Sequence, residues 1–218
     1  MLYRTRVKFC GITRLEDIQK AVELGVDALG FILYPKSKRA LSVEELKPLI
    51  HAVPVWVSSV VLLVNSLADE VNRVIEEVRP DYLQFHGDET VEFCEQFNYP
   101  YIRAIRVGAP GLSTPEEIAH SVAAYKQAKA FIFDAYSPEY GGTGISFDAD
   151  LLNVVRTQQA REKIIIAGGL GPQNIKSFVQ KYQPFAVDLC SGIERSPGSK
   201  DPLKMERFMT ELTLGHIS

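Results

Sequence analysis

The stretch "VKFCGITR", residues 7–14, is a short apolar run that ends in a polar turn. The turn, Cys-Gly-Ile-Thr-Arg, lacks the G-x-G-x-x-G spacing that usually follows the first strand of an open, doubly wound nucleotide-binding sheet. The closed (β/α)8 barrel, the other common parallel architecture, requires no such turn. The first strand and its turn therefore favour the barrel, provided that seven similar units follow.

Seven further apolar runs do follow, and amphipathic segments separate them. The predicted strands are 7–10, 28–33, 55–64, 82–85, 101–105, 130–133, 164–167 and 185–189. The predicted helices are 15–24, 43–50, 67–78, 114–125, 172–182 and 202–214, with less regular patterns at 90–96 and 149–156; Ser42, Ser66 and Thr114 are placed to start helices. Strands alternating with helices imply a parallel sheet. Eight units in 218 residues predict one α/β domain over residues 1–218, a (β/α)8 TIM barrel, with the open doubly wound sheet as the alternative.

Charge and cysteine content bear on the class of function. The net charge of −3 means that the chain has no excess of positive charge, so nucleic acid and membranes are not expected partners. Cys10, Cys94 and Cys190 form no C-x-x-C pair, which predicts neither a metal site nor a disulfide framework. Cys94 falls in a predicted helix, where packing explains it, and the role of Cys190 stays open. No apolar stretch predicts a signal peptide or membrane span, so a cytoplasmic protein is expected.

In a (β/α)8 barrel the catalytic groups lie at the C-terminal ends of the strands. Side chains two residues apart share a face of a strand, so Lys8 points the same way as Cys10, and Asp188 the same way as Cys190. Because strands one and eight are neighbours in a closed barrel and a buried charge needs a partner, we predict that Lys8 pairs with Asp188. The residues that end the eight runs are Cys10-Gly11, loop 34–39, Asn65, His86-Gly87, Arg106, Asp134, Gly168-Gly169 and Ser191-Gly192.

Two glycine-rich stretches follow the last two strands: "AGGLGPQN", residues 167–174, and "CSGIERSPGSKD", residues 190–201. Glycine lets backbone N–H groups approach an anion closely, and the loops after strands seven and eight are the usual phosphate site of this barrel. Either stretch alone would favour plain turn chemistry. Together they predict a phosphate site around Gly168, Gly169, Ser191 and Gly192.

Charged side chains follow three other strands. Asp134 ends the sixth run, where a partly buried carboxylate can act as a general acid, although an Asp that turns the chain is as good an explanation. The segment after it carries Gly142 and Gly144 and has the length of a lid over a ligand. Arg39 is the best of three cations in its loop for binding an anionic substrate group, although a solvated charged loop is the commoner explanation. His86 is a mouth residue or a satisfied core histidine, and the second interpretation is favoured.

The joint order of these motifs resembles the phosphoribosylanthranilate isomerases of tryptophan biosynthesis. The matching stretches are "VKFCGITR", "GFILYPKSKRALS", "LQFHGDE", "FDAYSPEYGGTGISFD", "AGGL" and "VDLCSGIERSPGSKD", which span nearly the whole chain. The resemblance implies a monomeric or homodimeric barrel enzyme without metal or cofactor. It would convert N-(5′-phosphoribosyl)anthranilate to 1-(2-carboxyphenylamino)-1-deoxyribulose 5-phosphate by an Amadori rearrangement. The family's catalytic cysteine falls on Cys10, its catalytic aspartate on Asp134, and its carboxylate-binding arginine on Arg39; its phosphate-binding residues fall around Gly168, Gly169, Ser191 and Gly192.

The chemistry of this rearrangement suits those positions. Ring opening of an aldosylamine needs an acid at the furanose oxygen, a role for Asp134. The resulting iminium acidifies the C2′ proton, and the thiolate of Cys10 is a candidate base for its removal. Without the family match, Cys10 would be interpreted as a buried core residue, since cysteines usually are.

Two departures and three rivals qualify the resemblance. Val61 replaces a frequent glycine and Arg103 a frequent lysine, both away from the matched catalytic positions. One rival is a thiamin-phosphate synthase-like barrel. A second is the isomerase of histidine biosynthesis, which is expected to carry Asp rather than Cys after strand one. The third is a barrel that only binds a sugar phosphate, and the presence of both Cys10 and Asp134 argues against it.

Overall fold

The computed structural model describes residues 4–136 and 149–217, and its sheet is a closed barrel of eight parallel strands in sequence order. β1 pairs with both β2 and β8, which closes the ring. The (β/α)8 prediction is therefore confirmed, and the open doubly wound sheet is excluded. The strands are β1 Arg6–Phe9, β2 Ala28–Ile32, β3 Ser58–Leu63, β4 Tyr82–Phe85, β5 Tyr101–Val107, β6 Ala130–Ala135, β7 Ile164–Ile166 and β8 Ala186–Leu189.

Helices separate the strands and cover the barrel from outside. They are α1 Leu15–Glu23, α2 Val43–His51, α3 Ala68–Glu77, α4 Val91–Glu95, α5 Pro115–Ala124, α6 Asn153–Gln158, α7 Ile175–Tyr182 and α8 Pro202–Ile217. Short 3-10 turns lie at Ala149–Leu152, Arg161–Lys163 and Ser191–Ile193. After β8 the chain also forms a small antiparallel hairpin, β9 Glu194–Ser196 and β10 Ser199–Lys200, which the sequence patterns did not predict.

Local capping sets several helix starts. Ser42 and Thr114 each complete a capping box, as their positions predicted. The predicted start at Ser66 is wrong by one residue, because Leu67 is the N-cap of α3 and its N–H donates to the Glu70 carboxylate at 2.9 Å. Among the described residues, no helix is long and apolar enough to cross a membrane.

Two other boundaries differ from prediction for local reasons. The apolar run that begins at Val55 enters the sheet only at Ser58, because a turn at Pro54 leaves Val55 and Trp56 88% and 92% exposed. Helix α7 begins at Ile175 rather than at residue 172. The Asn174 side chain holds the preceding turn: its Oδ1 accepts from Gly171 N–H and its Nδ2 donates to the Gly169 carbonyl, both at 2.9 Å.

The strands bury alternate side chains in two different places. One set, which includes Phe9, Phe31 and Phe131, packs against the helices in the main core. The other set points into the barrel, where Val60, Ile102 and Ile132 form a smaller cluster. A polar side chain of this second set lies inside the barrel or at its mouth, the open end formed by the C-terminal ends of the strands.

The predicted ion pair inside the barrel is confirmed. Lys8 and Asp188 are direct partners in the β1–β8 register, and Lys8 Nζ donates to Asp188 Oδ1 at 2.9 Å. Both residues are buried, so each charge has its compensating partner where water cannot reach. Lys8 precedes Cys10 by two residues and points to the same side of the strand, so the pair lies deeper in the barrel than Cys10.

Candidate active site

Cys10 lies at the mouth of the barrel, directly after β1. Its N–H donates to the Leu189 carbonyl at 2.9 Å, which continues the β1–β8 pairing by one residue, and it is 4% exposed. A Cβ on Gly30 of β2 would lie 2.8 Å from Cys10 Sγ and 2.9 Å from Lys8 Nζ. The absence of a side chain at Gly30 therefore makes room for a thiol and an ammonium group that share one space.

Two kinds of interaction favour the thiolate of Cys10. A hydrogen bond with Cys190 holds the pKa of the Cys10 thiol well below its ordinary value; the charges of Lys8 and Lys200 act in the same direction, and burial opposes them. The same hydrogen bond, together with burial, raises the pKa of the Cys190 thiol. The directions of the two shifts favour ionisation of Cys10 over that of Cys190.

Asp134 lies on β6, and its side chain is 16% exposed at the mouth. Its Oδ2 is 3.6 Å from Nε2 of His86, which is longer than a hydrogen bond. His86 follows β4, and Gln84 of that strand places its amide nitrogen 3.0 Å from His86 Nδ1. With the amide assigned in this orientation, Nδ1 accepts and Nε2 carries the ring proton.

The interpretation of His86 as a satisfied core histidine is wrong. The residue is buried, yet its Nε2 has no hydrogen-bond partner among the described residues. A buried polar atom without a partner is costly unless a ligand or water supplies one. The structure thus places an unused N–H donor beside the Asp134 carboxylate.

Arg39 differs from the other two cations of its loop. Lys36 and Lys38 are exposed, whereas Arg39 is 9% exposed. Its Nε and Nη2 donate to the two carboxylate oxygens of Glu194 at 2.8 and 2.6 Å. Because this bidentate pair uses one edge of the guanidinium, Nη1 and the second N–H of Nη2 are the donors left for a ligand.

Glu194 joins Arg39 to a second buried cation. Its Oε1 also accepts from Lys200 Nζ at 3.0 Å and from the Gly198 N–H at 3.2 Å. Burial opposes ionisation of this carboxyl, but the hydrogen bonds from Arg39 and the charge of Lys200 hold the pKa of Glu194 below its usual value. Glu194 is therefore the anion of a buried Arg39–Glu194–Lys200 cluster.

The two glycine-rich loops touch each other at the mouth. Gly168 and Gly169 adopt positive φ angles of 89° and 63°, a conformation that favours glycine. A Cβ on Gly192 would lie 2.0 Å from the Leu170 carbonyl oxygen, so the loop after β8 packs directly on the loop after β7. Within residues 4–136 and 149–217, and outside the bonds internal to helices and strands, the N–H groups of Gly169 and Gly192 donate no backbone hydrogen bond. The two loops therefore offer backbone donors from adjoining segments, as an anion site requires.

Sequence reasoning missed three residues of this region: Asn174, Glu194 and Lys200. All three occur in the glycine-rich stretches on which the phosphate prediction rests, but nothing in the local pattern signals their burial or their partners. Gly142 and Gly144, the glycines of the segment predicted to cover the ligand, lie outside the described residues. In the described part of the chain, no three His, Cys, Asp or Glu side chains are grouped to hold a metal ion.

Comparison with protein families and curated proteins gives one consistent match. Residues 7–211 match the family model of N-(5′-phosphoribosyl)anthranilate isomerase. The N-(5′-phosphoribosyl)anthranilate isomerase of Bordetella avium is 45% identical over 209 residues, which cover 96% of this chain and 95% of the relative. The family match thus includes every strand and helix described above except the first residue of β1 and the last turns of α8.

Solved structures agree with the sequence match. The phosphoribosylanthranilate isomerase of Thermotoga maritima superposes with a TM-score of 0.84 at 34% identity, covering 96% of this chain and 98% of that one. A second structure, at 32% identity and a TM-score of 0.81 with the same coverage, is a complex with reduced 1-(o-carboxyphenylamino)-1-deoxyribulose 5-phosphate. With a family match over nearly its full length and the same barrel, this chain belongs to the N-(5′-phosphoribosyl)anthranilate isomerase family.

Proposed function

We propose that this chain performs the isomerisation of N-(5′-phosphoribosyl)anthranilate with Cys10 as the general base and Asp134 as the general acid. The observation that carries the assignment is the arrangement at the mouth. A thiol in surroundings that favour its thiolate lies on β1, and a carboxyl group on β6 lies beside an unused histidine donor. Two anion-binding features flank the thiol, Arg39 on one side and the β7 and β8 loops on the other.

The two groups act on different atoms of the substrate. Asp134 donates a proton to the furanose ring oxygen, the ring opens, and an iminium forms at C1′. The Cys10 thiolate then removes the C2′ proton, which gives an enolamine that tautomerises to the ketose. Strands β1 and β6 are three positions apart around the ring, so base and acid approach the sugar from different sides.

The substrate is held at its two charged ends. The phosphate binds the N–H groups of Gly168, Gly169, Ser191 and Gly192, and the anthranilate carboxylate binds the free donors of Arg39. Cys10, directly after β1, lies between β2, whose loop carries Arg39, and β8, whose loop packs on the β7 loop at the phosphate end. When both ends are bound, the ribose between them lies over the Cys10 thiol. The ribose is the part of the substrate that reacts.

His86 completes this assignment as a substrate-binding residue. Its Nε2–H lacks a protein partner among the described residues and lies 3.6 Å from Asp134 Oδ2. A sugar oxygen that accepts from His86 is thereby placed next to the acid that must protonate the ring. Binding satisfies the buried donor and orients the sugar in one step.

A direct test of the function is complementation. The chain should restore growth without tryptophan to a bacterial auxotroph that lacks this isomerase, and the Cys10→Ala variant should not. Purified protein should turn over N-(5′-phosphoribosyl)anthranilate and leave the aldosylamine of the histidine pathway unchanged. Absence of growth in cells that contain the folded protein would contradict the proposal.

Arg39→Ala is expected to raise KM by about 10- to 100-fold, with a smaller effect on kcat, because charge-assisted hydrogen bonds are worth roughly 1.5–3 kcal/mol. Arg39→Lys should recover only part of the affinity, since an ammonium group cannot hold Glu194 by a fork and also reach the substrate. Steady-state kinetics of both variants provide the measurement. Lys38→Ala is the matched control, because Lys38 is exposed in the same loop. An unchanged KM in Arg39→Ala would remove Arg39 from the site.

Gly192→Ala is expected to raise KM by at least about tenfold, the equivalent of about 1.4 kcal/mol of binding. The new Cβ would lie 2.0 Å from a backbone oxygen of Leu170, so the two phosphate loops must separate. Gly171→Ala is the control, because the three atoms nearest to its Cβ would belong to the flexible side chain of Gln173 and not to backbone. Kinetics and thermal melting should be measured together. A folded Gly192→Ala variant with the parent's KM would argue against phosphate binding between these loops.

A further inference from the structure

The side chain of Lys200 is fully buried at the junction of the first and last strands. It is 0% exposed, and its Nζ donates to the carbonyl oxygens of Cys10 and Cys190 at 2.5 and 3.1 Å. Its third partner is Glu194 Oε1 at 3.0 Å, and the Cys190 Sγ lies 3.7 Å away. One ammonium group therefore holds the ends of β1 and β8 together from the β9–β10 hairpin.

The charge count of this cluster is unbalanced. Arg39 and Lys200 are both positive, and they share one anion, Glu194, to which both donate. The neighbouring Lys8–Asp188 pair is neutral by itself. A buried cluster with two positive charges and one negative charge favours a second anion beside it. The Cys10 thiolate can be that anion before substrate binds, because the Cys10 carbonyl accepts from Lys200 and the thiol interacts electrostatically with both Lys200 and Arg39.

From this geometry we propose that Lys200 is a positioning residue, which fixes Cys10 at the strand end and supplies the positive charge that favours its thiolate. The proposal rests on the proposed role of Cys10 as the base. It predicts that Lys200 matters for the reaction although its side chain touches the backbone of Cys10 rather than the substrate. Among the described residues, the titratable or charged groups near the Cys10 thiol come from four parts of the fold. They are Lys8 on β1, Asp188 on β8 with Cys190 after it, Tyr34 and Arg39 after β2, and Glu194 and Lys200 on the β9–β10 hairpin.

The test follows the ionisation of Cys10 directly. Iodoacetamide alkylation of Cys10 is measured against pH on the intact protein, by mass spectrometry of the peptide that carries it, in the parent and in Lys200→Met. The midpoint is expected to move up by about one pH unit, so that alkylation is about tenfold slower below both midpoints and unchanged on the alkaline plateau. The acidic limb of the pH profile of kcat/KM should move up by the same amount.

Two further variants separate charge from packing. Lys200→Arg keeps the charge and should retain the parent's midpoint. Lys204→Met is the matched control, because Lys204 is exposed and donates to the Glu194 carbonyl rather than to its carboxylate. A folded Lys200→Met variant that melts earlier but keeps the parent's midpoint has lost only a structural contact, and this result overturns the proposal.

A fourth variant serves if Lys200→Met does not fold, as judged by circular dichroism. Glu194→Gln removes the anion that neutralises Lys200, so the Cys10 midpoint should move down instead of up. An unchanged or higher midpoint in Glu194→Gln also overturns the proposal. If the alkylation midpoint of Lys200→Met moves while the acidic limb of kcat/KM stays, Lys200 acts on the thiol as proposed, and the failure lies in the role of Cys10 as the base.

Discussion

Cys10→Ser and Cys10→Ala are each expected to lower kcat/KM by about 10²–10⁴-fold, the usual contribution of a positioned general base. Serine keeps a hydrogen-bonding group of similar size, but its hydroxyl does not ionise near neutral pH. The loss in Cys10→Ser would therefore measure the thiolate and not the space it fills. Steady-state turnover of N-(5′-phosphoribosyl)anthranilate by the purified variants gives the measurement.

The pH dependence of the parent enzyme follows from the direction of the Cys10 pKa. The hydrogen bond with Cys190 and the charges of Lys8 and Lys200 hold this pKa well below its ordinary value, which favours the thiolate. As the pH falls through that pKa, the thiolate takes up a proton and kcat/KM should fall with it. This acidic limb should be missing from the residual activity of Cys10→Ser.

Cys94 provides the matched control for Cys10. It is buried in α4, and burial raises the pKa of its thiol to about 12. Iodoacetamide should therefore modify Cys10 faster than Cys94 at neutral pH, and a bound product analogue should protect Cys10. A Cys10→Ala variant with near-full turnover would refute the role of Cys10. If circular dichroism shows that the inactive variant is unfolded, the loss of activity comes from unfolding. That result would refute the claim of a direct catalytic loss.

Asp134→Asn is expected to lower kcat/KM by about 10²–10⁴-fold while the protein stays as stable as the parent. The amide preserves the shape of the side chain but has no proton to give to the ring oxygen. Stability should be maintained, because the described structure places the Asp134 carboxylate at the mouth, 3.6 Å from His86 and outside hydrogen-bond distance. Kinetics and thermal melting of the same preparation test both parts.

The control for Asp134 is another acid of the same mouth. Asp88 lies in the loop after β4, is 62% exposed and pairs with Arg106. Asp88→Asn should change kcat/KM by no more than about twofold, since a solvent-exposed ion pair such as Asp88–Arg106 contributes little. Equal losses in the two variants would indicate a general effect of charge at the mouth and would remove the specific acid role of Asp134.

The fold was predictable from the sequence because each of its signals is local. Eight apolar runs separated by amphipathic segments specify eight strands and eight helices, and the only compact closed arrangement of that order is the barrel. Strand parity also predicted one long-range contact, the Lys8–Asp188 pair, which joins residues 180 positions apart. That prediction was possible because closure of the barrel makes strands one and eight neighbours, and alternation sets which faces meet.

The boundaries that were wrong depend on competition between local groups. The apolar run from Val55 has the composition of a strand, but the turn at Pro54 keeps Val55 and Trp56 outside the sheet. Pro172 has the signature of a helix start, but the Asn174 side chain completes a turn there and delays the helix to Ile175. Composition does not show which of two local hydrogen-bond patterns prevails.

By itself, the sequence determined the barrel, the strand ends that carry Cys10 and Asp134, and the loops that carry the glycines. Only the tertiary structure decided the partners: Glu194 for Arg39 across 155 positions, Lys200 for the Cys10 carbonyl across 190, and Cys190 for the Cys10 thiol. The physical reason is that alternation specifies the face of a strand, whereas Glu194 and Lys200 lie on a hairpin that folds back over the mouth. The positions of the charges on such a hairpin depend on the path of the loop and on the cavity that it closes. Local sequence periodicity predicts neither of these.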